Sequence, residues 1–235
     1  MKRLAAAFLL ALCAPALAEG NECAGWDNLS GTPALNIGTV TGGPRVNFVK
    51  NASEDADCPA AGAKCRRKSF VVKGDEVILS ARHDGFVCAQ FVGANGTDTA
   101  GFLPEDAVRE NPPGPPVRLD DWIGAWGGNV EQSIAIKRGK APGTLAISGD
   151  ATFGATDPAR VKRGAVNIGS IETTIAPKGD RLGFTIGDDG TKPWEDGDED
   201  NCRVRMQRLG GFLIVQDNRQ CGGNNVSFTG DYRRK

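Results

Sequence analysis

The sequence predicts an all-β protein in two parts: a small N-terminal barrel and a larger C-terminal antiparallel up-and-down β-barrel. Three observations carry this reading. Glycine (32 residues) and proline (13) are abundant in a chain of 235 residues, a composition of short strands and many turns. Helical periodicity is not sustained beyond the N-terminal leader, whereas short apolar runs bounded by Gly, Asn and Asp recur throughout. A Pro-rich stretch, Asn111-Pro112-Pro113-Gly114-Pro115-Pro116, interrupts the pattern midway. It cannot continue a helix or a central strand, so residues 111–117 read as a stiff, extended linker.

Residues 1–18 have the form of a secretory signal. Lys2 and Arg3 supply the charged start, residues 4–12 are apolar, and Ala16-Leu17-Ala18 offers small residues at a cleavage site. Lipidation at Cys13 is the competing reading, but Leu12 stands where a lipobox needs a small residue. No later apolar run has the length of a membrane helix. The expected location is therefore the periplasm or the exterior, and an oxidising compartment suits the cysteines. Beyond the leader lie Cys23, Cys58, Cys65, Cys88, Cys202 and Cys221. Six cysteines allow 15 pairings. Their distribution favours Cys202–Cys221 in the second half; in the first, Cys58–Cys65 across a small loop and Cys23–Cys88 are the preferred split.

The N-terminal part, residues 19–110, reads as strands at 45–50, 69–72, 76–81, 86–92 and 100–104. Lys73-Gly74-Asp75, Arg82-His83-Asp84-Gly85 and Asn95-Gly96-Thr97-Asp98 supply the turns between them. The order of these motifs over residues 39–109 resembles a bacterial SH3-like domain. The resemblance rests on an opening Arg45-Val46-Asn47-Phe48 strand, a Lys-Gly-Asp-x-Val turn at 73–77, and a closing Gly101-Phe102-Leu103-Pro104 before a short helical turn at 105–108. Phe102 stands where that family usually has Trp, and Lys50-Asn51-Ala52-Ser53 with a cysteine loop replaces its Arg-Ser-Gly loop. The resemblance implies contact with peptidoglycan or another envelope component. It places Arg82, His83, Phe86 and Phe102 beside the concave surface open to peptides or glycan strands.

The C-terminal part, residues 118–235, offers strands near Trp126 and at 133–137, 144–148, 165–174, 181–186, 203–208, 212–216 and 226–232. In the last of these, Val226, Phe228, Gly230 and Tyr232 share one face. About eight consecutive strands suit an up-and-down barrel, with a flattened sandwich as the alternative. Gly124-Ala125-Trp126 and the terminal Tyr232-Arg233-Arg234 resemble the calycin (lipocalin-like) arrangement. There, a basic residue from the barrel end packs on the Gly-x-Trp tryptophan.

Catalytic chemistry finds little support. A single histidine excludes most zinc sites and any relay needing two imidazoles. His83 and Asp84 are adjacent turn residues with no activated nucleophile nearby. Asp196, Asp198 and Asp200 alternate as calcium-loop ligands would, but Asn201 occupies the glycine position and Gln207 that of the bidentate Glu. The favoured reading is a solvated loop at a barrel mouth, with no metal and no cofactor. A glycosidase pair among these acids has no cleft to support it. The net charge of −1 lacks the basic excess of a nucleic-acid binder. Trp122 and Trp126 read as core and plug residues. Trp194, flanked by Pro193 and Glu195 in a polar loop, is a candidate ligand contact.

The chain is thus expected to be a non-enzymatic exported bacterial envelope protein that binds peptidoglycan or a wall-associated component. The alternative is a periplasmic inhibitor or immunity protein acting on a cell-wall hydrolase.

Overall fold

The computed structural model describes residues 22–26, 29, 34–93, 96 and 98–235; the expected signal at residues 1–18 lies outside them. Among the described residues the strands form two antiparallel sheets.

The first sheet contains β1 (Asn36–Val40), β2 (Val46–Val49), β3 (Arg66–Val71), β4 (Glu76–His83), β5 (Phe86–Val92), β6 (Asp98–Pro104) and β7 (Val108–Glu110). Their order across the sheet is β3-β2-β6-β5-β4-β1-β7. A single 3-10 turn, Glu105–Ala107, follows β6. Phe48, Val77, Val87 and Leu103 centre its core. Beside that core, Phe102, Val49 and Phe86 pack against the Cys23–Cys88 and Cys58–Cys65 disulfides.

One boundary differs from expectation in a way that bears on function. Arg82 and His83 are the last residues of β4, not turn residues, and His83 pairs directly with Phe86. The turn is Asp84-Gly85 alone, with φ of 44° and 79°. Two successive left-handed residues close a two-residue hairpin whose twist matches its strands, so the flanking side chains stay on the ladder.

The second sheet contains β8 (Gly124–Gly127), β9 (Gln132–Arg138), β10 (Leu145–Phe153), β11 (Asn167–Ile175), β12 (Arg181–Gly187), β13 (Gly190–Pro193), β14 (Cys202–Leu209), β15 (Phe212–Asp217) and β16 (Gly230–Arg234). Its order is β11-β10-β9-β8-β16-β15-β14-β12-β13. Because β8 pairs with the last strand, β16, the sheet curls into a nearly closed barrel. Its two edges, β11 and β13, are linked by Thr173 Oγ1 donating to Thr191 Oγ1 at 2.8 Å. The ninth strand, β13, is an addition to the eight expected. It forms a hairpin with β12 inside what the sequence reads as a solvated loop. A short helix, α1 (Pro158–Lys162), was also not anticipated; Asp157 caps it by accepting from the Ala159 and Arg160 amides.

The last strand begins at Gly230 rather than at residue 226. Side chains take over the backbone groups that a ladder would use. Gln132 Nε2 donates to the Ser227 and Thr229 carbonyls at 2.7 and 3.2 Å. Asp217 Oδ1 accepts from the Thr229 amide and from both hydroxyls, Ser227 and Thr229. Val226, Phe228 and Tyr232 still reach the barrel core, all fully buried.

Trp122 and Trp126 are core residues. Trp126 Nε1 donates to the Trp122 carbonyl at 3.0 Å. The guanidinium groups of Arg208 and Arg234 lie 4.4 and 4.8 Å from the Trp126 ring. Arg208 donates to the carbonyls of Asp121, Gly210 and Phe212. Burial, together with the neighbouring Arg234 charge, pushes the Arg208 guanidinium down to about 10. The Cys202–Cys221 disulfide joins β14 to the segment after β15.

The two sheets share a buried seam. Leu29, Leu35, Ile37, Ile78 and Val92 pack on Phe212 and Ile214. These two face outward from β15 while Leu213 and Val215 face the barrel core. Arg233 lies over the Phe212 ring at 4.5 Å and donates twice to the Val92 carbonyl, at 3.2 and 2.9 Å. The segment 112–116 is exposed and carries no strand.

Candidate functional site

Four of the expected contact residues converge on the first sheet. His83 and Phe86 face each other across the β4–β5 hairpin, and the His83 and Phe102 rings lie 6.5 Å apart. Their chemistry is largely committed to the fold. Phe102 is fully buried and Phe86 nearly so, both against disulfides. Arg82 forms ion pairs with Glu105 and Glu110 at 3.3 and 2.6 Å. His83 Nε2 is 3.3 Å from the exposed Asp84 carboxylate. Phe86 borders a broad depression of about 850 Å³ that also includes Arg45, Arg66 and Glu105.

Trp194 belongs to the other sheet and helps line a cleft of about 520 Å³, a volume typical of small-ligand sites. The residue starts a 3-10 turn, Trp194–Asp196, directly after β13. Pro193 ends the ladder there, since it lacks an amide donor. The indole is seated over β12 and β14 where Gly183 pairs with Arg205. A methyl group on Gly183 would come within 3.1 Å of the Trp194 Cβ, so the missing side chain makes room for the indole. The guanidinium groups of Arg203 and Arg205 lie 4.3 and 4.0 Å from the indole ring. Arg203 also donates to the Trp194 carbonyl at 2.7 Å, which fixes the turn to β14.

The cleft is strongly cationic. Lys178, Arg181 and Arg205 line it, and Glu195 is the one acid among its lining residues. Burial first, then the charges of Arg203 and Arg181, hold Arg205 below the usual guanidinium range, with Glu195 opposing. Crowded guanidinium groups with one carboxylate between them favour the arrival of a further anion. Partly exposed Ile175 and buried Leu29 border the same cleft, while Leu182 and Met206 belong to the barrel core beneath it. Gln207 completes it, with its Nε2 donating to Asp180 Oδ2 at 3.0 Å and its buried Oε1 without a partner.

The sequence singles out Trp194 but not Arg181, Gly183, Arg205 and Gln207, which line the same cleft. The signal was present in Arg203-Val204-Arg205-Met206-Gln207. Strict alternation places both arginines and the glutamine on one face of a strand, opposite two core residues.

Asp196, Asp198 and Asp200 are exposed, and among the described residues no three metal-ligating side chains converge. No helix among the described residues is long and apolar enough to cross a membrane. The chain matches no family model, no curated protein and no solved structure.

Proposed function

We propose that this chain is a non-enzymatic exported envelope protein that binds peptidoglycan or a wall-associated component through the Trp194 cleft. The observation that carries the reading is the seating of Trp194 over Gly183 with Arg203 and Arg205 against its indole. Such an arrangement holds cations at a concave, partly apolar surface, which suits recognition of an anionic polymer or peptide. Three disulfides support an oxidising environment. Arg234 stacked on Trp126 supports the calycin-like reading of the barrel, and the short turn after β6 supports the SH3-like reading of the first sheet.

Co-sedimentation of the purified protein with isolated sacculi tests the proposal. Wild type is expected to pellet, and Trp194→Ala to lose at least tenfold in apparent affinity. Arg82→Ala with His83→Ala is expected to pellet as wild type does. Loss of pelleting in the Arg82/His83 variant alone would move the site to the first sheet. Failure of wild type to pellet, with stoichiometric capture of a wall hydrolase instead, would replace this reading by the inhibitor one.

A further inference from the structure

We infer that β3, at the edge of the first sheet, docks an extended acidic segment of a partner protein as an added strand. This site is separate from the Trp194 cleft, which belongs to the other sheet.

A strand edge leaves main-chain donors and acceptors unpaired, and proteins blunt or cover such edges. β7 has three residues and is followed closely by Pro112-Pro113. β11 and β13 meet each other through Thr173 and Thr191, and the Gly223 amide donates to the Ile168 carbonyl at 3.0 Å. β13 also stops at Pro193. β3 differs from all three. It has six residues, contains no proline, and pairs only with β2 among the described strands.

Two bonds fix the direction of its free groups. The Lys50 amide donates to the Cys65 carbonyl at 2.8 Å, and Asn47 Nδ2 donates to the Arg67 carbonyl at 3.1 Å. Both carbonyls therefore point toward β2. Alternation along the strand then turns the N–H and C=O groups of Lys68 and Phe70 to the open side. At either end of β3 the outward amide is already used: Arg66 donates to the Ala63 carbonyl at 3.4 Å, and Val72 to Asp75 Oδ2 at 2.8 Å. Lys68 and Phe70 thus each offer a donor and an acceptor in register, the pattern that an incoming strand takes up.

The side chains on this edge select the partner. Arg66, Lys68 and Phe70 are exposed on one face of β3, while Arg67, Ser69 and Val71 turn to the other. Phe70 and Val72 are each 41% exposed, and the Arg45 guanidinium stacks on the Phe70 ring at 4.5 Å. Among the described residues no carboxylate pairs with Arg45, Arg66 or Lys68. The acids of the preceding loop are taken, Glu54 by Arg67 and both Asp55 and Asp57 by Lys64. Glu105 is held by Arg82, which leaves Asp106 as the one uncommitted acid lining the depression beside Arg45 and Arg66. Opposite charges across a strand pair stabilise it and like charges do the reverse. Acidic residues in the incoming strand therefore suit Arg66 and Lys68, and an apolar one suits Phe70. The same basic side chains oppose pairing of β3 with the β3 of a second copy, so the edge favours a different, acidic chain.

Amide exchange of the full chain, followed by NMR at physiological salt, tests the inference. The probes are acetyl-Glu-Val-Glu-Val-Glu-Val-amide, its counterpart with Lys in place of Glu, and the acidic peptide N-methylated at every residue. The acidic peptide is expected to bind at least tenfold more tightly than the basic one. It should also slow exchange of the Lys68 and Phe70 amides at least tenfold. N-methylation should remove both effects, because it keeps the charge and deletes the main-chain donors. Arg66→Glu with Lys68→Glu should reverse the charge preference; both side chains are exposed, so the variant is expected to fold. Trp194→Ala should bind the acidic peptide as wild type does. Equal binding of acidic and basic peptides, undiminished binding of the N-methylated form, or protection confined to residues outside β3 would each overturn the inference. Protection of Lys68 and Phe70 that rises with protein concentration alone would assign the edge to a second copy and overturn it too. Failure of the acidic peptide to bind would remove the inference and leave the envelope reading intact.

Discussion

Trp26 Nε1 donates a 2.7 Å hydrogen bond to Asp231 Oδ1, tying the N-terminal arm to the last strand of the barrel. Gln90 of the first sheet reaches the other oxygen of the same carboxylate and also contacts Asp98. Asp231 is 3% exposed. Burial, with the Asp98 charge adding to it, pushes its carboxyl up to about 7, against the hydrogen bonds from Trp26 and Gln90.

This raised value fixes the sign of a pH effect. Between an unfolded value of about 4 and the folded value, the folded chain holds a proton that the unfolded chain has released. Asp231 therefore contributes stability in full below pH about 4, loses it as pH rises, and contributes none above about 7. The expected loss is on the order of 2–4 kcal/mol. Asp98 is also pushed up, to about 6. Its surface is exposed to solvent, however, and screening reduces its share. Denaturant unfolding at pH 5 and pH 8 should show higher stability at pH 5, and Asp231→Asn should shrink that difference. An unchanged difference in the variant would assign the pH dependence elsewhere.

The seam also governs what cleavage of the linker does. Residues 112–116 are exposed, so limited proteolysis should cut there. The fragments should nevertheless remain together on gel filtration. The Phe212–Ile214 face and the Arg233–Val92 bonds survive the cut. Separation of the fragments without denaturant would show that the seam is weak.

Gly183→Val is expected to displace Trp194, because even a single methyl group meets its Cβ at 3.1 Å. Sacculus binding should fall at least fivefold. The melting transition should remain cooperative, because the displaced indole is only partly buried. Normal binding by this variant would mean that the position of Trp194 does not matter.

Removal of Cys202–Cys221 by double substitution to serine should cost roughly 2–4 kcal/mol, judged from the loop that it closes. Cys23–Cys88 spans a separation of 65 residues against 19, and its removal should cost more on loop-entropy grounds. Urea melts of the two double variants give the comparison, and an equal or reversed order would contradict it.

The all-β class was legible because turn residues punctuate nearly every strand, and the preferred cysteine pairing was legible from spacing. Strand ends were harder to read. Arg82 and His83 look like turn residues because they are polar and precede Asp84-Gly85, yet a tight hairpin needs only those last two. Residues 226–229 alternate as a strand would, and only the distant Gln132 and Asp217 side chains explain why they form none. The cleft combines Leu29, Arg181, Trp194 and Gln207 from separate segments, and no local pattern announces their meeting. The apolar run Phe212-Leu213-Ile214-Val215 carries a clue to the seam, since a strand apolar on both faces is covered on both.

Chemical-shift mapping of isotope-labelled protein titrated with soluble wall fragments locates binding residue by residue, at the Trp194 cleft or away from it. Shifts are expected at the Trp194 indole, the Gly183 amide and the Arg205 side chain, with Arg82, His83 and Phe86 unmoved. Shifts confined to the β4–β5 hairpin, or no shifts at any fragment concentration, would contradict binding at the cleft.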